Sequence, residues 1–136
     1  MSTRLSHAEY KELFQQLLNR EELGYETTSR WIEVELPCLQ LAAVRMKVYL
    51  RGKLLTFHCS CELPVASGQK NLYLLLNELN RTYRDIKFTL TEGSVKLTLQ
   101  SFILKDRMVC QCLLAMKRLA DVLDVVYPQL RCALRK

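Results

Sequence analysis

The sequence predicts a single α+β domain spanning residues 1–136, an antiparallel sheet covered on one face by helices. Three observations carry that reading. The chain has 136 residues, 49% hydrophobic and 25% charged, which is ordinary composition for one domain with a real core. Several short stretches alternate apolar and polar residues with period two, the mark of strands with one greasy face. Between and around them lie three segments whose apolar residues recur at helical spacing.

Ser6-His7-Ala8-Glu9 has the form of a capping box, in which the Ser hydroxyl accepts a backbone N–H while the Glu reaches back. Tyr10, Leu13, Phe14, Leu17 and Leu18 follow as a helical stripe that Gly24 ends. After a polar link, Arg30 to Leu36 reads as a strand, with Ile32, Val34 and Leu36 on one side and Trp31, Glu33 and Glu35 on the other. Pro37 stops it. Ala43 to Leu50 alternates again, and a tight turn at Arg51-Gly52 leads into a partner strand that runs to about Glu62. That turn sets Val48 opposite Leu55, Met46 opposite Phe57 and Val44 opposite Cys59, all on one face.

Pro64, Ser67 and Gly68 break the pattern, and Leu72, Leu75, Leu76, Leu79 and Tyr83 mark a second helix. The hairpin from Ile86 to Gln100 turns at Glu92-Gly93 and pairs Leu90 with Val95, Phe88 with Leu97 and Ile86 with Leu99. A slip of one residue would scatter its apolar row over both faces, so the register is well specified. Asp106 is the expected N-cap of a third helix, whose broad apolar face runs from Val109 through Cys112, Leu113, Met116, Leu119, Ala120 and Leu123 to Val126, ending at Pro128. The order is α-β-β-β-α-β-β-α, without repeats or low-complexity segments. Helices on one side of an antiparallel sheet give that sheet its cover.

Chemistry is sparse in this chain. Cys59 and Cys61, two apart on a strand, continue the core row, while the adjoining His58 points the other way, beside Arg45 as its expected cross-strand partner. Cys110 and Cys112 lie roughly 200° apart on a helix and cannot converge on one ion. The reading is packing rather than a metal site, and no cofactor is expected. Of the two histidines, His7 lies in a first helical turn and reads as solvated, and His58 has no assignable carboxylate; Gly-rich phosphate loops and hydrolase motifs are absent from the sequence, so no enzyme is expected. Six cysteines without a secretory signal point to reduced thiols and to the cytoplasm, and no run is long and apolar enough to span a membrane. The net charge of +6 permits an acidic partner or nucleic acid. It is spread along the chain, with one small cluster in the tail at Arg131, Arg135 and Lys136.

Surface is what remains. Trp31, Arg45, Lys47, Tyr49, Leu54 and Phe102 are expected on the uncovered sheet face, as a partner-binding surface. Tyr73 and Leu74 stand outside the apolar stripe of the second helix and are the expected contact of a homodimer.

The element order, with the helix end at Asn77–Asp85 running straight into a one-sided hairpin, resembles the type III secretion chaperone-like fold and, within it, the YbjN-type sensory transduction regulator family. The likeness covers nearly the whole chain. It implies a small, often dimeric protein that holds other proteins through its sheet and apolar patches, without chemistry on a substrate. Secretion chaperones are typically acidic, whereas this chain is basic. The expectation is a non-catalytic protein-binding module, chaperone-like or regulatory. The alternative is a nucleic-acid binder that uses Arg45, Lys47, Lys87 and Lys96 with Trp31, Tyr49 and Phe102 as stacking platforms.

Overall fold

Period-two alternation becomes period-two burial in every long strand. The computed structural model describes residues 7–36, 44–51, 54–62, 70–91, 94–102 and 104–134. The expected Ser6 cap, the breakers at Pro37, Pro64, Ser67 and Gly68, the turn residues Gly52, Glu92 and Gly93, Cys38, and the tail residues Arg135 and Lys136 lie outside them, as does the His7 side chain. The order is α1 (His7–Arg20), β1 (Tyr25–Thr27), β2 (Ile32–Leu36), β3 (Val44–Arg51), β4 (Leu54–Glu62), α2 (Lys70–Thr82), β5 (Ile86–Thr91), β6 (Ser94–Phe102) and α3 (Met108–Leu134). Neighbouring strands are antiparallel, in the order β1-β2-β3-β4-β6-β5. This is the α+β class read from the sequence, with one strand more.

The additional strand, β1, lies within the stretch expected to be a polar link. Only Tyr25 of its three residues is apolar, and pairing holds it: Tyr25 lies opposite Val34 and Thr27 opposite Ile32. The Thr28 hydroxyl closes the loop to β2 by accepting from the Arg30 and Trp31 backbone N–H groups at 3.2 and 3.1 Å. Lys11 on α1 donates to the Thr28 carbonyl at 3.0 Å and ties that loop to the helix.

Three further expectations need correction. The β3–β4 register is two residues from the expected one: Arg51 faces Leu54, Val48 faces Phe57 and Met46 faces Cys59. A shift of two preserves side-chain parity, so the same residues stay inside. Asp106 does not cap α3; it sits in a 3₁₀ turn, Lys105–Arg107, that precedes the helix. Gln111 fastens this junction instead, accepting from the Leu104 N–H at 2.9 Å and donating to the Phe102 carbonyl at 2.7 Å. Finally, α3 runs through Pro128 to Leu134. Pro128 has no N–H to give the carbonyl one turn before it, but it lies on the exposed side, where water can serve that carbonyl, and Leu130, fully buried, anchors the last turns.

The core fills the space between the helices and one sheet face. Phe14, Leu18, Ile32, Met46, Leu55, Phe57, Leu97, Met116, Leu119 and Leu123 form one cluster with almost no exposed surface. No charged or polar residue is buried among the described ones. Truncating Phe57 or Leu119 to Ala would cost about 2–5 kcal/mol through lost contacts and a cavity. α1 ends in a Schellman motif: the Leu23 N–H donates to the Leu18 carbonyl at 2.9 Å, with Glu22 at φ 56°. Among the described residues the opposite sheet face carries no helix, and none of the described side chains on it in β2 to β6 is fully buried.

Candidate functional site: the open sheet face

Register decides which side chains meet on the uncovered face. One row runs across five strands from Glu33 on β2 through Lys47, His58 and Thr98 to Lys87 on β5. The next row towards the hairpin ends holds Tyr49, Thr56 and Gln100, and beyond it Arg51, Leu54 and Phe102 align. Trp31 enters from the residue just before β2.

These rows build a connected cluster. The Lys47 ammonium sits 4.7 Å over the Trp31 ring, Trp31 and Tyr49 lie 5.7 Å apart in a tilted arrangement, and Tyr49 meets His58 edge-on at 5.2 Å. His58 Nδ1 shares a hydrogen bond of 2.9 Å with the Thr98 hydroxyl, and Gln100 donates to Thr56 at 3.3 Å. In front of the rings lies an open recess of about 750 Å³, lined by Trp31, Tyr49, Leu54, Thr56, His58 and Gln100, with Arg30 and Arg51 also on its rim. Burial, with help from Lys96 and Lys47, pushes the His58 imidazole down to about 4. The ring is therefore neutral at pH 7, and it offers one donor and one acceptor.

Trp31, Lys47, Tyr49 and Leu54 are thus drawn together, as expected from parity. Phe102, directly across from Leu54, is 73% exposed at the edge of the group. Arg45 stands apart. It faces Glu35 rather than His58, pairs with Glu33 at 3.6 Å, and lines a smaller recess of about 120 Å³ with Gly24, Tyr25 and Glu26. Its expected cross-strand contact with His58 is taken by Lys47, a consequence of the shifted register. Tyr73 and Leu74 are 51% and 56% exposed on α2, in the helical layer rather than on the open sheet face. Arg30, Arg51 and Gln100 were not expected in the site, although parity in the corrected register places Gln100 beside Thr56.

The thiols do not form a centre. Cys59, Cys61 and Cys112 are buried, and burial pushes the Cys61 thiol up to about 11 and Cys112 to about 12, while Cys110 and Cys132 are exposed on α3. Among the described residues no three His, Cys, Asp or Glu side chains are grouped so as to hold a metal ion. Nor is any described helix long and apolar enough to cross a membrane.

No family model matches the chain, and no curated protein matches it. Among solved structures it is similar to the crystal structure of YbjN from E. coli, a candidate transcription regulator, with a TM-score of 0.64 and 12% identity over 88% of this chain and 92% of that one. The likeness extends over nearly the whole of both molecules, so the YbjN-like fold read from element order is present. At that identity it is a likeness of fold.

Proposed function

We propose that this protein is a non-catalytic, regulatory or chaperone-like binding module that holds a partner protein on its open sheet face and acts as a homodimer. The observation that carries the reading is the recess lined by Trp31, Tyr49, Leu54 and His58 on a sheet face that the protein's own helices leave uncovered. Aromatic side chains with a polar handle, bordered by hydroxyl and amide groups, are the composition of protein interfaces. A YbjN-like fold is compatible with a regulatory role, and the chaperone-like resemblance of the element order supports the holding of a partner.

The nucleic-acid reading uses the same face but is less well supported. Stacking needs open ring faces, yet Lys47 lies over Trp31, and Tyr49 packs against both Trp31 and His58. Arg45, one of the expected phosphate contacts, is engaged by Glu33. Affinity capture from native lysate, with and without nuclease, tests the choice. The expected result is a defined protein retained by the wild type under nuclease and lost with Tyr49→Glu. Capture that disappears with nuclease, or binding that falls steeply with salt, would favour nucleic acid instead.

A further inference from the structure

The charges around the recess are distributed unevenly, and that asymmetry identifies the kind of segment it fits. Among the described side chains of the open face, the acids Glu26, Glu33 and Glu35 all lie on β1 and β2. The cations Arg51, Lys87 and Lys96 lie on β3, β5 and β6, beyond their reach, and Arg30 stands on the rim. Of the ion pairs Arg20–Glu21, Arg45–Glu33 and Arg118–Asp85, only the second is on this face. Arg30, Arg51, Lys87 and Lys96 therefore form no ion pair among the described residues, while Lys47, opposite Glu33, lies over the Trp31 ring.

The apolar part of the recess shares its lining with two of those cations, Arg30 and Arg51. Trp31, Tyr49 and Leu54 form its floor, with Arg30 and Arg51 on the rim and Lys47 beside Trp31. His58 reports on the same field from inside: beside burial, Lys96 on β6 and Lys47 on β3 both oppose its protonation, and its ring meets Tyr49 on β3 and the Thr98 hydroxyl on β6. A ligand with apolar side chains alone would leave the cations unanswered. A nucleic acid would answer them but would meet the Lys47 ammonium over Trp31 and tilted, edge-on ring packing at Tyr49 rather than a flat stacking platform.

Resting on the protein-binding reading above, we infer that the recess takes an acidic, extended segment of a partner protein, with apolar side chains set between its carboxylates. The apolar groups contact Trp31, Tyr49 and Leu54, and the carboxylates meet Arg30 and Arg51 at the rim. Thr56 and Gln100 supply hydrogen-bonding groups to the segment's backbone. Complementary charge of this kind adds selectivity and speeds encounter more than it adds raw affinity.

The test uses the full chain and three probes: a capped octapeptide of alternating Glu and Leu, its Lys and Leu counterpart, and oligothymidylate. Trp31, the one tryptophan in the chain, reports binding by its fluorescence. The expected result is that the Glu peptide binds about tenfold or more tighter than the Lys peptide at low salt, and that Arg30→Ser with Arg51→Ser removes most of that preference while the thermal transition stays in place. Binding of the Glu peptide should also raise the His58 titration midpoint, followed by NMR. Equal affinity for the two peptides would overturn the acidic-segment inference and leave the protein-binding reading standing. Tighter binding of oligothymidylate than of either peptide would overturn both. No response to any probe would overturn the inference, with the protein-binding reading still answerable to its capture experiment.

Discussion

His58 is one residue through which pH acts on this fold. Its folded midpoint of about 4 lies below the ordinary value of 6.5, because burial and then Lys96 and Lys47 oppose its charge. Between those two values the unfolded chain binds a proton that the folded chain refuses. Stability is therefore unaffected by His58 above about pH 6.5, falls as pH drops towards 4, and is constant again below it. Because the ring is only partly buried, solvent screening reduces the effect to about 1 kcal/mol. Denaturant melts of wild type and His58→Gln across this range should diverge, the wild type losing more stability on acidification; parallel curves would exclude the effect. The cysteines make a second expectation at this scale. Cys110 and Cys132 should react rapidly with a thiol reagent in the folded protein, whereas Cys59, Cys61 and Cys112 should wait for unfolding, since they are buried and Cys61 and Cys112 are held as thiols. Peptide mapping after a short alkylation reads each site separately, and early labelling of Cys112 would contradict the packing described above.

Between elements, one side chain closes an edge that strand pairing leaves open. β5 ends the sheet, and Asn80 of α2 reaches across to donate to the Phe88 carbonyl at 2.9 Å and accept the Phe88 N–H at 2.7 Å. Its amide does for Phe88 what a seventh strand would do, and it denies that position to another chain. Asn80→Ala should lower stability by about 1–2 kcal/mol and speed hydrogen exchange at Phe88 in particular. A uniform change in exchange would mean that Asn80 matters only to α2. The Asn80 contact was not legible in the sequence, because polar helix residues near a C-terminus carry no mark of their partner. The β5–β6 register was, since six apolar residues fit one face in a single way, and the structure has Ile86, Phe88 and Leu90 opposite Leu99, Leu97 and Val95. The β3–β4 register was not, because a two-residue shift keeps every side chain on its own face and the apolar pattern is blind to it. β1 was missed for want of alternation in Tyr25-Glu26-Thr27, and the helix beyond Pro128 because the burial of Leu130 outweighs a local preference to stop. The same logic governs the site: parity placed Trp31, Lys47, Tyr49, Leu54 and Phe102 on the open face, whereas the partners of Arg45 and His58 depended on register.

At the scale of the whole molecule, the two layers leave different surfaces to be covered. The sheet layer offers a ringed recess among cations, while the helical layer offers scattered apolar side chains, Tyr73 and Leu74 on α2 and Leu114 and Val125 on α3, each more than half exposed. Leu72, Leu76 and Leu79 face the core, so Tyr73 and Leu74 are apolar area that the chain's own sheet cannot cover. A second copy covers such a patch with least new design, because a twofold axis brings the same residues from both chains into one contact. Self-association through the helical layer would also leave both sheet recesses free, so that one dimer could hold a partner at two points with a gain from effective concentration. The expected mass in light scattering coupled to size exclusion, at roughly tens of micromolar, is therefore about twice the 15.9 kDa of one chain. Tyr73→Lys with Leu74→Glu should shift that equilibrium to monomer while leaving the circular dichroism spectrum and the thermal transition largely intact, since neither side chain is part of the buried cluster. A wild-type mass near that of one chain would falsify the dimer, and an unchanged dimer in the double variant would move the contact to Leu114 and Val125.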